Sequence, residues 1–153
     1  MTNTAVFPGT FDPFTIGHYS IVQRALAVFD EMIIAIGQNA NKRSCFTTEK
    51  RISLAQQAFA GNDRVSVLAY DTLTIDLLQK LGLKFIVRGI RTVADFEYER
   101  SIADTNKRMA DIETVLFFTE PEHSFISSSA VRELYNYGKD ISIYLPPNVK
   151  IEL

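Results

Sequence analysis

The chain has 153 residues, 46% of them hydrophobic, with 11 Phe and 6 Tyr and a formal net charge of −2 from 16 basic and 18 acidic side chains. That length suits one domain spanning residues 1–153 with a core of its own, the apolar content excludes a disordered chain, and the acidic balance excludes a sequence-independent nucleic-acid binder. One cysteine, Cys45, rules out an internal disulfide, the longest apolar runs fall far short of a membrane span, and Met1 to Thr4 carry no signal-peptide pattern, so a cytoplasmic protein off the membrane is expected.

Apolar runs of strand length alternate with helical patterns. Thr4 to Phe7 reads as a first strand, and a loop with Pro8, Gly9 and Pro13 follows it. Ile16 to Val28 is a helix with Ile21, Val22, Ala25, Leu26 and Phe29 on one face. Met32 to Ile36 suits a strand buried on both faces. Thr47 caps a helix reaching Phe59, with Glu49 in its first turn and Gly61 past its end. Val65 to Ala69, Phe85 to Val87 and Thr114 to Phe118 are further strands. Between and after them lie helices at Ile75 to Leu81, closed by Gly82, at Ala94 to Met109, and from a cap at Ser127 or Ser128 to about Tyr137, followed by Gly138. The βαβαβαβαβα order predicts an α/β fold, a doubly wound five-stranded parallel sheet of Rossmann-like type, with ligands bound beyond the carboxyl ends of its strands near a topological switch point.

Chemistry collects at those ends. After the first strand comes PGTFDPFTIGH, Pro8 to His18, in which Gly9 allows close backbone approach to a ligand and Thr10 offers a hydroxyl and an amide. Thr15-Ile16-Gly17-His18 places a histidine at a helix N-terminus, where free amides and the dipole favour phosphate. Lys42 and Arg43 follow the second strand, and Arg88-Gly89-Ile90-Arg91 follows the fourth. Singly, each is a surface charge; together they read as a clamp for several phosphates. Phe125-Ile126-Ser127-Ser128-Ser129 presents three hydroxyls at another helix N-terminus, where an ordinary cap needs one. There is no Walker A sequence and no G-x-G-x-x-G, which excludes the usual P-loop and dinucleotide readings.

PGTFDPFTIGH, RGIRTVADFEYE and FISSSAVRE, in this order and in a chain of this length, closely resemble the bacterial phosphopantetheine adenylyltransferases of the nucleotidyltransferase superfamily, marked by (H/T)-x-G-H. The resemblance covers nearly the whole chain. It implies transfer of AMP from ATP to 4′-phosphopantetheine, giving dephospho-coenzyme A and pyrophosphate with Mg²⁺, in a homohexamer subject to feedback inhibition by coenzyme A. Carried over by motif, Thr10, Phe11, His18, Gly89, Ile90, Arg91, Glu99 and the stretch His123, Ser124, Phe125, Ile126, Ser127, Ser128 and Ser129 fall at nucleotide-binding positions. Thr10, Lys42, Thr74 and Arg88 fall at acceptor-binding positions, and His18, Lys42 and Arg91 would stabilise the transition state. The resemblance assigns neither Asp12 nor Glu99 to a metal; Asp12 either holds the turn or touches a ligand. The chain departs from the pattern at His123, where members usually carry an aromatic residue such as Trp or Tyr, and in a tail without their extra terminal helix.

Two other readings stay open on the residues alone. The T-x-G-H signal is shared with other small nucleotidyltransferases, such as those acting on nicotinamide mononucleotide. A non-catalytic ATP-binding module would have the same sheet but no use for His18 beside a second phosphate clamp.

Overall fold

The computed structural model describes residues 2–39, 41 and 43–151. Five strands, β1 (Thr4–Gly9), β2 (Glu31–Gly37), β3 (Val65–Tyr70), β4 (Phe85–Ile90) and β5 (Glu113–Phe118), form one parallel sheet in the order β3-β2-β1-β4-β5. Helices α1 (Ile16–Ala25), α2 (Thr48–Ala58), α3 (Thr74–Leu81), α4 (Val93–Ala110) and α5 (Ser128–Asn136) connect and cover it. Because the chain runs outward from β1 to β3 and then returns to place β4 on the other side of β1, the order reverses between β1 and β4, opening a crevice there.

Alternation along the strands feeds two cores. Phe7, Ile34 and Ile36 face one side with Ile21 and Val22 of α1, Leu54 and Ala58 of α2 and Val131 of α5. Val6, Ala35 and Ile86 face the other with Leu77 and Leu78 of α3. No helix of the described residues is long and apolar enough to cross a membrane.

Three element boundaries differ from expectation. Strand β1 continues to Gly9 rather than Phe7, because Pro8 and Gly9 still pair with Ala35 and Ile36 of β2. Helix α1 stops at Ala25 rather than Val28: the next amides, of Ala27 and Val28, bond three residues back to Arg24 and Ala25. Arg64 then takes the free carbonyls of Leu26, Phe29 and Asp30, so the chain turns without extending the helix. Strand β4 continues to Ile90 rather than Val87, because pairing with β5 persists through Arg88↔Leu116, Gly89↔Phe117 and Ile90↔Phe118. Arg88 therefore lies within the strand and not beyond it. Gly89 is small because a Cβ there would lie 3.1 Å from Ile21 Cδ1 of α1.

Candidate active site

A cavity of about 500 Å³ opens at the crevice between β1 and β4, and a second, of about 430 Å³, lies beside it toward α3 and α4. The first is lined by Thr10, Phe11, His18, Gly89, Arg91, His123, Ile126 and the three serines, Ser127 to Ser129. The second is lined largely by apolar side chains, among them Leu73, Ile75, Ile86, Ile102 and Met109, together with Thr74. Gly9, Arg88, Tyr98 and Glu99 belong to both walls. The structure thus brings most of the motif residues together. Ile90 is buried in β4 and lines neither cavity, nor do Ser124 and the exposed Phe125. Lys42 lies outside the described residues.

Thr15 is the N-cap of α1 and His18 its third residue, and the two form a reciprocal box. The His18 amide donates to Thr15 Oγ1 at 3.4 Å, and the Thr15 amide donates to His18 Nδ1 at 3.0 Å. An Nδ1 that accepts a backbone N–H carries no proton in the neutral ring, so Nε2 is the protonated nitrogen and serves as a donor. The ring is fixed further by Phe11 and Phe14, with centroids 4.9 and 5.4 Å away. Desolvation, followed by the charges of Arg88 and Arg91, lowers the His18 pKa to about 3. The free site therefore presents a neutral imidazole as an oriented N–H donor.

Arg88 faces Glu99 across the wall between the cavities. Its Nε donates to both carboxylate oxygens, at 3.1 and 3.0 Å, and its Nη2 donates to Oε1 at 2.7 Å. Nη1 donates to the Pro8 carbonyl at the end of β1. Of the five N–H donors of the guanidinium, one on Nη1 and one on Nη2 are left over. Glu99 is 6% exposed and engaged through both oxygens. Its side chain is thus a partner of Arg88 and also lines the first cavity, at one of the expected nucleotide positions. Arg91, just past β4, donates to the Ile126 carbonyl at 2.7 Å and lies 3.5 Å from Asp95 of α4.

The serine run divides its labour. Ser127 is the N-cap of α5 and accepts from the Ala130 amide at 3.2 Å. Ser128 is turned to the Pro13 carbonyl, and Ser129 accepts from Arg132 Nη2 at 3.0 Å. Asp12 holds the turn: its oxygens accept the amides of Cys45 and Phe46 at 2.7 and 2.8 Å, tying the loop after β2 to the loop after β1. Burial, then the neighbouring Asp12, raises the Cys45 pKa, which leaves an unreactive thiol. At Gly9, which lines both cavities, an added Cβ would sit 2.9 Å from the tip of the Phe11 ring. Glycine is required there to seat Phe11 against Phe7, His18 and Phe14.

Two arginines of the first cavity, Arg51 and Arg132, were not among the candidate residues read from sequence. Arg132 of α5 reaches the Asp12 carbonyl at 2.8 Å as well as Ser129. Arg51 of α2 donates to the carbonyls of Thr10 and Gly37. The signal for Arg51 was present, since it shares the i, i+3, i+4, i+7 face of Leu54, Ala55 and Ala58, where a charge is out of place.

A parallel sheet whose switch point carries an arginine-lined cavity, with the T-x-G-H histidine and a serine-capped helix on its rim, defines a nucleotidyltransferase site. The cytidylyltransferase-like family model matches residues 6–134. A solved structure from Francisella tularensis, titled as a bifunctional NMN adenylyltransferase/ADP ribose pyrophosphatase, shares the fold with a TM-score of 0.76 at 21% identity. It covers 97% of this chain, which spans 46% of that longer one. Among curated relatives, the phosphopantetheine adenylyltransferase of Phocaeicola vulgatus is 58% identical over 148 residues, 97% of this chain and 98% of that one. Its counterpart in Bacteroides thetaiotaomicron is 56% identical over 147 residues, 96% of this chain and 97% of that one. The chain belongs to the phosphopantetheine adenylyltransferase family.

Proposed function

We infer that the two cavities divide one reaction between them: ATP occupies the arginine-lined cavity and 4′-phosphopantetheine the apolar one. The enzyme is an adenylyltransferase of coenzyme A biosynthesis, and the products are dephospho-coenzyme A and pyrophosphate. The observation that carries the division is the shared wall at Arg88. Its two remaining donors suit a phosphate group at the junction, while Leu73, Ile102 and Met109 offer apolar surface to a flexible arm extending away from it. Thr74 belongs to the arm's side of the wall. Lys42, by its motif position, joins Arg88 on the acceptor phosphate.

The acceptor phosphate is already an ionised nucleophile, so no side chain needs activating and no covalent enzyme intermediate forms. It attacks the α-phosphorus in line, the bond to the bridging oxygen breaks, and pyrophosphate leaves. His18 Nε2–H donates to an α-phosphate oxygen as charge builds there. Arg91, Arg132 and the amides at the start of α5 hold the rest of the triphosphate, with Ser128 and Ser129 beside them. Ile126 and His123 provide the surface for the base.

The three carboxylates lining the first cavity are each held by protein donors: Asp12 by two amides, Glu99 by Arg88, and Asp95 by Arg91. The only acid–histidine cluster among the described residues is Glu120, Glu122 and His123, of which His123 alone lines the cavity. This donor set does not suit a protein-held Mg²⁺, which takes oxygen ligands. The metal enters with ATP, as part of the substrate. The exposed apolar side chains Val93 and Phe96 of α4 favour assembly into the homohexamer that the family resemblance implies. Coenzyme A, which carries both the nucleotide and the arm, would inhibit by filling the two cavities at once. A cytoplasmic location suits these soluble substrates. The deciding assay is pyrophosphate release from ATP with 4′-phosphopantetheine, against nicotinamide mononucleotide as the competing acceptor; release with the latter alone would overturn the reading.

A further inference from the structure

Arg51 is 3% exposed and makes no ion pair among the described residues. A buried charge without a counter-ion is unfavourable unless something fixed depends on it. Its Nη1 donates at 2.8 Å to the Thr10 carbonyl, just past the end of β1, and at 3.1 Å to the Gly37 carbonyl, the last residue of β2. Nη2 donates to Thr48 Oγ1 at 3.1 Å, and Nε is buried without a partner.

The residue after Thr10 is under backbone strain. Phe11 has φ of 49°, in the left-handed region that a bulky side chain rarely adopts. In a planar trans peptide the N–H points opposite to the preceding C=O. The grip of Arg51 on the Thr10 carbonyl therefore aims the Phe11 N–H the other way, and that N–H has no hydrogen-bond partner among the described residues. The Phe11 ring is held independently by Phe7, Phe14 and His18. Guanidinium on one side and aromatic cluster on the other together fix a conformation that the chain would otherwise leave.

We propose that Arg51 is a positioning residue for the adenylyl-transfer reaction. It locks the Thr10–Phe11 peptide so that the Phe11 N–H is a fixed donor to the ATP phosphates, and it places an uncompensated positive charge behind that donor. The inference rests on the proposed placement of ATP. Two roles follow that substitution separates, the charge and the grip of Nη1 on two carbonyls.

The test is steady-state kinetics on wild type, Arg51→Met and Arg51→Lys, with each rate divided by the folded fraction from circular dichroism. Arg51→Met loses both roles, and kcat/KM for ATP falls by about 10²-fold, the scale of an ångström-level misplacement. Arg51→Lys keeps the charge but is one atom shorter and lacks the Nη2 anchor on Thr48, so it loses the carbonyl grip: KM for ATP returns toward wild type while kcat stays low. A purely structural arginine would lower the melting temperature and leave both constants per folded molecule unchanged, and that result overturns the proposal. Should both variants fail to fold, Thr48→Val decides, because it removes the Nη2 hydrogen bond that orients the guanidinium toward the two carbonyls: a reduced kcat/KM for ATP supports the proposal and an unchanged one refutes it. Calorimetric ATP affinity separates the two levels of inference. Equal affinity in wild type and Arg51→Met refutes the role of Arg51, whereas a wild type that binds ATP but releases no pyrophosphate refutes the reaction.

Discussion

Replacing His18 tests the geometry of the site most directly. The ring is held as a neutral Nε2–H donor by the Thr15 amide on Nδ1, at 3.0 Å, and by a pKa lowered to about 3. Loss of one preorganised donor to a developing oxyanion costs about 2.7–4 kcal/mol, or roughly 10²–10³ in kcat. His18→Ala should lose that much in kcat while KM for ATP and for the acceptor change far less. The same lowered pKa makes a thermodynamic prediction. Unfolding restores the ordinary pKa of about 6.5, so between pH 6.5 and 3 the unfolded chain binds a proton that the folded one refuses. Stability is fully present above pH 6.5 and falls as pH drops toward 3, by at most about 1.4 kcal/mol per pH unit. Urea denaturation of wild type and His18→Gln across this window should show the flatter pH dependence in the variant. NMR titration of the free protein, which has only two histidines, should find the His18 imidazole unprotonated at pH 5. A His18 resonance titrating near pH 6.5, or a His18→Ala enzyme with near-normal kcat, refutes the reasoning.

Other perturbations probe the rest of the frame. Glu99→Gln leaves Arg88 without its carboxylate in a partly buried wall, which should cost up to about 3–5 kcal/mol of stability by denaturant titration and raise KM for the acceptor more than KM for ATP. Ser127→Ala removes the α5 cap, lowering stability by about 0.5–2 kcal/mol with ATP affinity little changed. Ser129→Ala should do the opposite, weakening ATP binding by freeing Arg132 while the melting curve stays in place. Gly89→Ala puts a Cβ 3.1 Å from Ile21 and should push α1 off β4, reducing melting temperature and kcat together.

The fold was legible wherever a local pattern matched its surroundings. Unbroken apolar runs such as Met32 to Ile36 belong to strands covered on both faces, and the caps at Thr47 and Gly82 sit where their side chains and φ angles require. Strand β4 was read short because Arg88 and Gly89 look like the start of a turn. What keeps them in the strand is non-local: the ladder to β5, the Glu99 carboxylate waiting eleven residues on in α4, and the room that Gly89 leaves for Ile21. Likewise Ser127 and Ser128 are interchangeable as caps in sequence, and only the path of the preceding chain gives the role to Ser127.

The site was legible as a set of strand ends but not as an electrostatic arrangement. Sequence marks Arg88 and Arg91 because they lie in a distinctive motif, yet each is already matched by a carboxylate, Glu99 or Asp95. Arg51 and Arg132, each inside a helix, are both held by carbonyls and hydroxyls, which fix a guanidinium without neutralising it. On the proposed placement of ATP, the attraction for a polyphosphate in a protein of net charge −2 comes mainly from the arginines tied to neutral groups, while those tied to carboxylates supply direction. A motif search finds the second kind and Arg132, which lies within FISSSAVRE. Arg51 shows in sequence only as a charge on a face that ought to be apolar, and its purpose appears once the backbone carbonyls it holds are seen to lie just past β1 and at the end of β2.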